Sequence, residues 1–184
     1  MIDIQDSINA KSFEAFPKIA RLSREMIITE KLDGINAQVS VTDAGEVLAG
    51  SRNLWLTLEK DNYGFAHWVK VHEEELRELG PGRHFGEWWG QGIQRGYGLK
   101  EKRFSLFNVS RWSKNRPKCC GIVPMLYRGL FDTVVVDNIL EELKTNGSQA
   151  VPGWKDPEGI VLFHTACGYM FKKTIKNDEQ GKGQ

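Results

Sequence analysis

The chain has 184 residues, 40% of them hydrophobic and 27% charged, with a formal net charge of +1. That suffices for one compact domain with a real core and is too little for two large ones. The near-neutral balance excludes a globally basic nucleic-acid binder, so any such grip must come from a local patch. No apolar run approaches the ~20 residues that cross a bilayer.

In chain order, Ser12 to Leu22 reads as an entry segment anchored by Phe13, Phe16 and Ile19. Met26 to Thr29 is apolar and β-prone, which puts Lys31 at a strand end. Ile35, Ala37, Val39 and Val41 alternate with polar residues, the pattern of a half-buried strand. Asp43-Ala44-Gly45-Glu46 turns the chain into a return strand, Val47 to Gly50. Apolar residues at helical spacing predict one amphipathic helix from about Asp61 to Leu79, stopped by Gly80-Pro81-Gly82. Arg83 to Trp89 reads as a strand, Gly90 to Gly98 as a glycine-rich loop, and Phe104 to Val109 and Gly121 to Gly129 as two further strands. Asp132 N-caps a helix to Leu143, and Glu158 to His164 with Tyr169 to Ile175 form a closing hairpin. From Asn177 the tail is polar and frayed. Hairpin-joined strands with two inserted helices predict an α+β domain of mostly antiparallel sheets flanked by helices.

Three cysteines cannot all pair, and the adjacent Cys119 and Cys120 have no Cys or His at zinc-finger spacing. The N-terminus lacks a signal-peptide pattern. The expected compartment is a reducing cytoplasm, with structural cysteines and four structural or incidental histidines. Lys100, Lys102, Arg103, Arg111, Lys114, Arg116 and Lys118 crowd one stretch, either a nucleic-acid patch or a solvated loop.

Chemistry concentrates in three segments: Glu30-Lys31-Leu32-Asp33-Gly34-Ile35-Asn36, Phe85-Gly86-Glu87 and Glu158-Gly159-Ile160-Val161. A lysine amine attacks phosphorus only when neutral, so burial or nearby cations must lower the pKa of Lys31 from its ordinary value. Gly34 permits a close turn. Glu87 and Glu158 lie on apolar strands, where a carboxylate needs a hydroxyl, a cation or a metal. Glu87 suits a ribose hydroxyl; Glu158 suits Mg²⁺ or the Lys31 ammonium. Phe107 suits either a purine face or the core. Arg52 suits a phosphate or ribose, or is a surface residue. Lys172, Lys173 and Lys176 suit a triphosphate, or form a basic strand end.

The order of these pieces resembles the covalent nucleotidyltransferase superfamily of ATP-dependent ligases and mRNA capping enzymes. Lys31-Leu32-Asp33-Gly34 resembles the nucleophile motif, Ser51-Arg52-Asn53 the arginine motif and Phe85-Gly86-Glu87 the third. Phe104 to Val109 resembles its aromatic companion, and Glu158 to Val161 the fourth motif. The likeness runs from Phe16-Pro17-Lys18-Ile19 to Lys173. Asn36, which stands where DNA ligases and capping enzymes usually have arginine, points to the phage-type RNA ligases that seal nicks in duplex RNA. So do the Phe16-Pro17-Lys18-Ile19 entry and the run Gly86-Glu87-Trp88-Trp89-Gly90-Gln91-Gly92-Ile93-Gln94. Asp33 is more DNA-ligase-like. The family's final Lys-x-Lys is here Lys172-Lys173-Thr174, so Lys173 or Lys176 is left for the second role.

The resemblance implies a nucleotidyltransferase domain over 1–184 without a C-terminal OB-fold or other appended domain: either a minimal enzyme, or one that acts with a partner protein or domain supplying that function. It implies ATP and Mg²⁺ or Mn²⁺ as cofactors, RNA as the substrate ahead of DNA, and the cytoplasm of a bacterial or phage-infected cell. Lys31 would carry AMP; Glu158 would hold the metal, and Lys172 and Lys173 the α-phosphate. Glu87 and Arg52 would hold the ribose, Phe107 the adenine, and Glu30 the nucleobase through its backbone, with Asp33, Gly34 and Asn36 completing the nucleotide site. The rival activities are DNA ligation and guanylyl transfer; a non-catalytic nucleic-acid-binding module is the rival of another class.

Overall fold

Alternating apolar residues build two sheets, and the computed structural model describes them within residues 14–176 and 178. The first sheet contains β1 (Glu25–Lys31), β7 (Met125–Leu130), β8 (Gly159–His164) and β9 (Tyr169–Thr174), in the order β7-β1-β8-β9. The second holds β2 (Ile35–Val41), β3 (Val47–Ser51), β4 (Gly82–Gly90), β5 (Lys102–Leu106) and β6 (Cys120–Ile122), in the order β3-β2-β4-β5-β6. All pairings are antiparallel except β5 with β6, so the α+β class with mostly antiparallel sheets holds.

Strand alternation sends side chains to two faces of each sheet. On the outer face of the five-stranded sheet, Val39, Trp88, Phe104 and Cys120 pack with Phe65, Val69, Leu76 and Leu79. The last four come from α1 (Phe65–Val71), α2 (Glu73–Leu76) and the 3₁₀ turn Arg77–Leu79. On the outer face of the four-stranded sheet, Met26, Ile28, Ile160 and Leu162 pack with Leu140 and Leu143; α3 (Val109–Trp112) precedes their helix, α4 (Thr133–Asn146). Between the sheets lie Ile27, Leu32, Trp89, Tyr97, Val109 and Val123. Helices therefore cover the two outer faces, and the inner faces converge at the C-terminal end of β1.

Four expectations change. The entry segment is not anchored: Phe16 and Ile19 are 83% and 86% exposed, and Phe13 lies outside the described residues. The single helix over 61–79 is three pieces. His72 has φ −101° and ψ 17°, and Glu73, Glu74 and Glu75 then restart the helix, since carboxylates favour a helix N-terminus. Asp61 caps from outside α1, its carboxylate accepting from the Ala66 and His67 amides. The strand over 121–129 is two strands in different sheets. Pro124 lacks the N–H a ladder needs, so the chain crosses there; Val123 still donates to Leu106 and the Pro124 carbonyl accepts from Glu30. Finally, β5 ends at Leu106, and Asn108 caps α3 by accepting from the Arg111 amide. The tail beyond 176, Asp178 apart, lies outside the described residues.

Candidate active site

Lys31 is the last residue of β1 and sits opposite Gly159, the first of β8. Its Nζ donates to Glu158 Oε2 at 2.5 Å, with both side chains about one-fifth exposed. Gly159 has φ 154°, and a Cβ there would meet the Lys173 carbonyl at 2.3 Å, so only glycine fits between β1 and β9 at this point.

The next residues fold the Lys31 strand onto the second sheet. A Cβ on Gly34 would lie 2.4 Å from the Trp88 carbonyl and 3.0 Å from Glu87 Cγ. Gly34 thus makes room for β4 itself, and its amide reaches the Glu87 carboxylate at 3.1 Å. Glu87 is 7% exposed, and burial pushes its carboxyl up to about 7. Lys31 and the Gly34 amide pull it down, while Glu158 and Asp33 push it further up. Three carboxylates and one ammonium therefore share a small, partly desolvated space.

Register places the other candidates. Asn36 pairs with Glu87, Glu87 pairs with Ser105, and Ser51 pairs with Ala37. Arg52 follows Ser51 and is exposed, so Arg52, Asn36 and Glu87 mark one row across β3, β2 and β4. Phe107 lies just past β5, half-buried on the same face as Glu87, against the cluster containing Trp89 and Tyr97.

The two motif lysines part company. Lys172 pairs with Val161 and Lys173 with Ile160. Ile160 belongs to the outer core under α4, and Lys173 Nζ accordingly meets Asp137 of α4 at 2.5 Å. Lys173 also lines a groove of about 590 Å³ with Phe131, Val136 and Leu162, on the side away from Lys31. Lys172 and Thr174 lie on the Lys31 face.

Glu30 alternates to the opposite side from Lys31 and is 1% exposed. Its carboxylate accepts from Ser148 Oγ at 2.5 Å and from the Gln149 and Ala150 amides at 2.8 and 3.0 Å. Burial is the largest influence on its carboxyl and raises it. The Glu30 amide is itself bonded to the Pro124 carbonyl, so this residue clamps the loop after α4.

Arg95, Asp156 and Tyr97, which meet the candidates Asp33 and Lys176, were not singled out from the sequence. Arg95 Nη1 meets Asp33 Oδ2 at 2.5 Å, and its Nε meets Asp156 Oδ2 at 3.2 Å. Lys176 meets the other Asp156 oxygen at 2.7 Å. The buried Tyr97 hydroxyl accepts from the Asp33 amide at 2.8 Å, and burial drives its phenol pKa up. Tyr97 has φ 53° between two glycines at 63°, and Gly96-Tyr97-Gly98 was the one available hint. In the basic stretch, four residues have partners of their own: Lys102 bonds the Tyr63 carbonyl, Arg103 pairs with Glu101, Arg111 bonds Leu79 and covers Trp112, and Arg116 bonds Cys120.

Lys31 is thus held by the Glu158 carboxylate at a strand end, with the buried Glu87 carboxylate close enough to feel both charges. The family model for RNA ligase matches residues 24–174, and the chain belongs to that family. No curated protein resembles it closely enough to count as a match. Among solved structures, a Naegleria gruberi RNA ligase mutant with ATP and Mn has a TM-score of 0.64 at 21% identity, covering 84% of this chain and 51% of that one. A second mutant of that ligase, with AMP and Mn, gives 0.62 at 20% identity, covering 83% and 50%. The same enzyme with PPi gives 0.61 at 21%, covering 83% and 50%. At these identities the likeness shows the fold, and the chain spans about half the length of those ligases. Among the described residues, no helix is long and apolar enough to cross a membrane.

Proposed function

We propose that this chain is the nucleotidyltransferase unit of an ATP-dependent RNA ligase, of the kind that seals 5′-phosphate to 3′-hydroxyl ends. The observation that carries the reading is the Lys31–Glu158 contact at 2.5 Å in a cleft shared with the buried Glu87. Membership of the RNA ligase family and the likeness to a ligase solved with ATP, AMP and PPi support it.

Lys31 Nζ attacks the α-phosphorus of ATP. Held beside Glu158, the Lys31 ammonium first gives up one proton to water; the neutral amine then forms the P–N bond as the bond to pyrophosphate breaks, and the second proton on nitrogen leaves to solvent. The AMP then passes to a 5′-phosphate of RNA, and a 3′-hydroxyl displaces it. Glu87 takes a ribose hydroxyl, Arg52 and Asn36 lie in the same row, and Phe107 stacks on adenine. Asp33, held by Arg95 and Tyr97, fixes the turn that carries Lys31 past Gly34. Glu30 acts at one remove, by holding the loop behind the strand.

Hard divalent cations take carboxylate oxygens. The residues fit such an ion, since Glu158 and Asp33 already raise the Glu87 carboxyl by repulsion. Glu158 would hold Mg²⁺ or Mn²⁺, which when bound neutralises triphosphate charge. Lys172 shares the Lys31 face and balances the α-phosphate; Lys173, turned to α4, serves the helix instead.

The test is incubation with α-labelled ATP or GTP and either metal, then denaturing electrophoresis, with Lys31→Ala as control. A label from ATP on the wild type alone supports the reading. A label retained by Lys31→Ala overturns the nucleophile. Preference for GTP, or sealing of nicked DNA over nicked RNA, replaces the activity with a rival one. No label on the folded protein under any of these conditions favours a nucleic-acid-binding module.

A further inference from the structure

We propose that His72, Glu75 and Cys119 form a binding site for a zinc-class divalent cation. The site is independent of the nucleotide cleft. One nitrogen, one oxygen and one sulfur from these residues lie within 4.8 Å of one another, and all three residues are half-buried. In a tetrahedral zinc site such atoms stand about 3.3–3.8 Å apart, so small side-chain rotations close the set. Part of it is already closed, with His72 Nδ1 3.2 Å from Glu75 Oε1.

The fold prepares each ligand. His72 stands at the break between α1 and α2, and Glu75 is one turn on, so both reach the same side. The His72 ring packs against Trp68, centroids 4.9 Å apart. The Cys119 amide donates to Glu75 Oε2 at 3.1 Å, which orients that carboxylate and leaves its other oxygen for an ion. Cys119 itself sits in the turn before β6.

The chemistry is that of a borderline-soft ion. Imidazole, carboxylate and thiolate are zinc ligands, whereas magnesium and calcium take oxygen alone. Glu75 and a Cys119 thiolate together cancel a charge of +2. Three protein ligands leave the fourth position to water.

Position separates this site from ligation. Cys120 and Phe104 belong to the outer core under α1 and α2, while Glu87 and Trp89 alternate to the inner face. The ion would tie the helix break to the β6 turn and stabilise the folded chain by mass action. Cys120 offers a rival, since its Sγ lies 3.9 Å from Cys119 Sγ and two adjacent thiols bind soft metals without a histidine.

The test uses the full chain, reduced and stripped of metal. Zn²⁺ is titrated against a competing chelator, and Co²⁺ is added to read sulfur-to-metal charge transfer and tetrahedral d–d bands. The expected result is one ion per chain with both Co²⁺ signatures, and a Zn²⁺-dependent rise in melting temperature. Cys119→Ser and His72→Ala should each weaken Zn²⁺ binding by more than ~100-fold, beyond the 10–100-fold typical of an outer-shell partner. Glu75→Gln should weaken it, Cys120→Ser should not, and Lys31 labelling should be unchanged in Cys119→Ser. Absence of one-to-one binding at micromolar Zn²⁺ overturns the proposal. So does equal loss from Cys119→Ser and Cys120→Ser with none from His72→Ala. If a variant fails to fold, the wild-type stoichiometry and the Co²⁺ spectrum decide alone.

Discussion

Lys31 and Glu158, 127 positions apart in the chain, are joined by one 2.5 Å hydrogen bond between ammonium and carboxylate. The pairing of β1 with β8 produces it, by setting Lys31 opposite Gly159. Glu158→Ala should therefore suppress transfer of label from ATP to Lys31. Because both side chains are about one-fifth exposed, stability should fall by only about 1 kcal/mol, the upper range for partly solvated pairs. A label at wild-type rate would remove Glu158 from the mechanism.

Glu87 should destabilise the fold that it serves. Its folded pKa, about 7, lies above the ordinary 4.5, so ionisation opposes folding. That penalty is absent below about pH 4.5, grows as pH rises towards 7, and is constant above, reaching about 3 kcal/mol at 1.36 kcal/mol per pKa unit. Glu87→Gln remains neutral and still accepts from Gly34. Denaturant unfolding should show the variant more stable than wild type by about 2–3 kcal/mol at pH 8 and nearly equal at pH 4.5. Labelling by ATP should be lost. A stability difference independent of pH would mean Glu87 does not titrate in this window.

Phe107 is half-buried against the inner core, on the same face as Glu87. Phe107→Ala should weaken ATP binding by roughly 1–3 kcal/mol, the scale of one stacked base. Calorimetry with ATP reads this directly. Unchanged affinity with a lowered melting temperature would return Phe107 to the core alone.

The opposite facing of Lys172 and Lys173 predicts unequal variants. Lys172→Ala should slow labelling by an order of magnitude or more, as when an oriented charge near the reacting phosphate is removed. Lys173→Ala should leave labelling near wild type and cost stability of about 1 kcal/mol or less, since its pair with Asp137 is solvent-exposed. Equal losses of labelling would show that β9 presents both lysines to the nucleotide.

Short-range patterns were legible because they follow local chemistry. Alternation marked β2, the closing hairpin was read at β8–β9, Asp132 marked the start of α4, Lys31 stood three residues before Gly34, and Glu87 and Glu158 each adjoined a glycine. The errors fell where a local pattern met a tertiary constraint. Apolar spacing over 61–79 continued through His72, but three glutamates restarted the helix there. The apolar run at 121–129 looked like one strand, but Pro124 moved it from one sheet to the other.

The sequence by itself determined the strand periods, the α+β class and the three chemical segments, since each rests on residues within a few positions of one another. Only the tertiary structure decided which groups meet. Two-residue alternation turned Lys173 from the cleft, and two-sheet packing brought Arg95, Asp33, Asp156 and Lys176 into one network. The helix break set His72 and Glu75 beside Cys119. Contacts of this kind depend on register and crossover, which are settled by burying three apolar faces at once and not by any local run of residues.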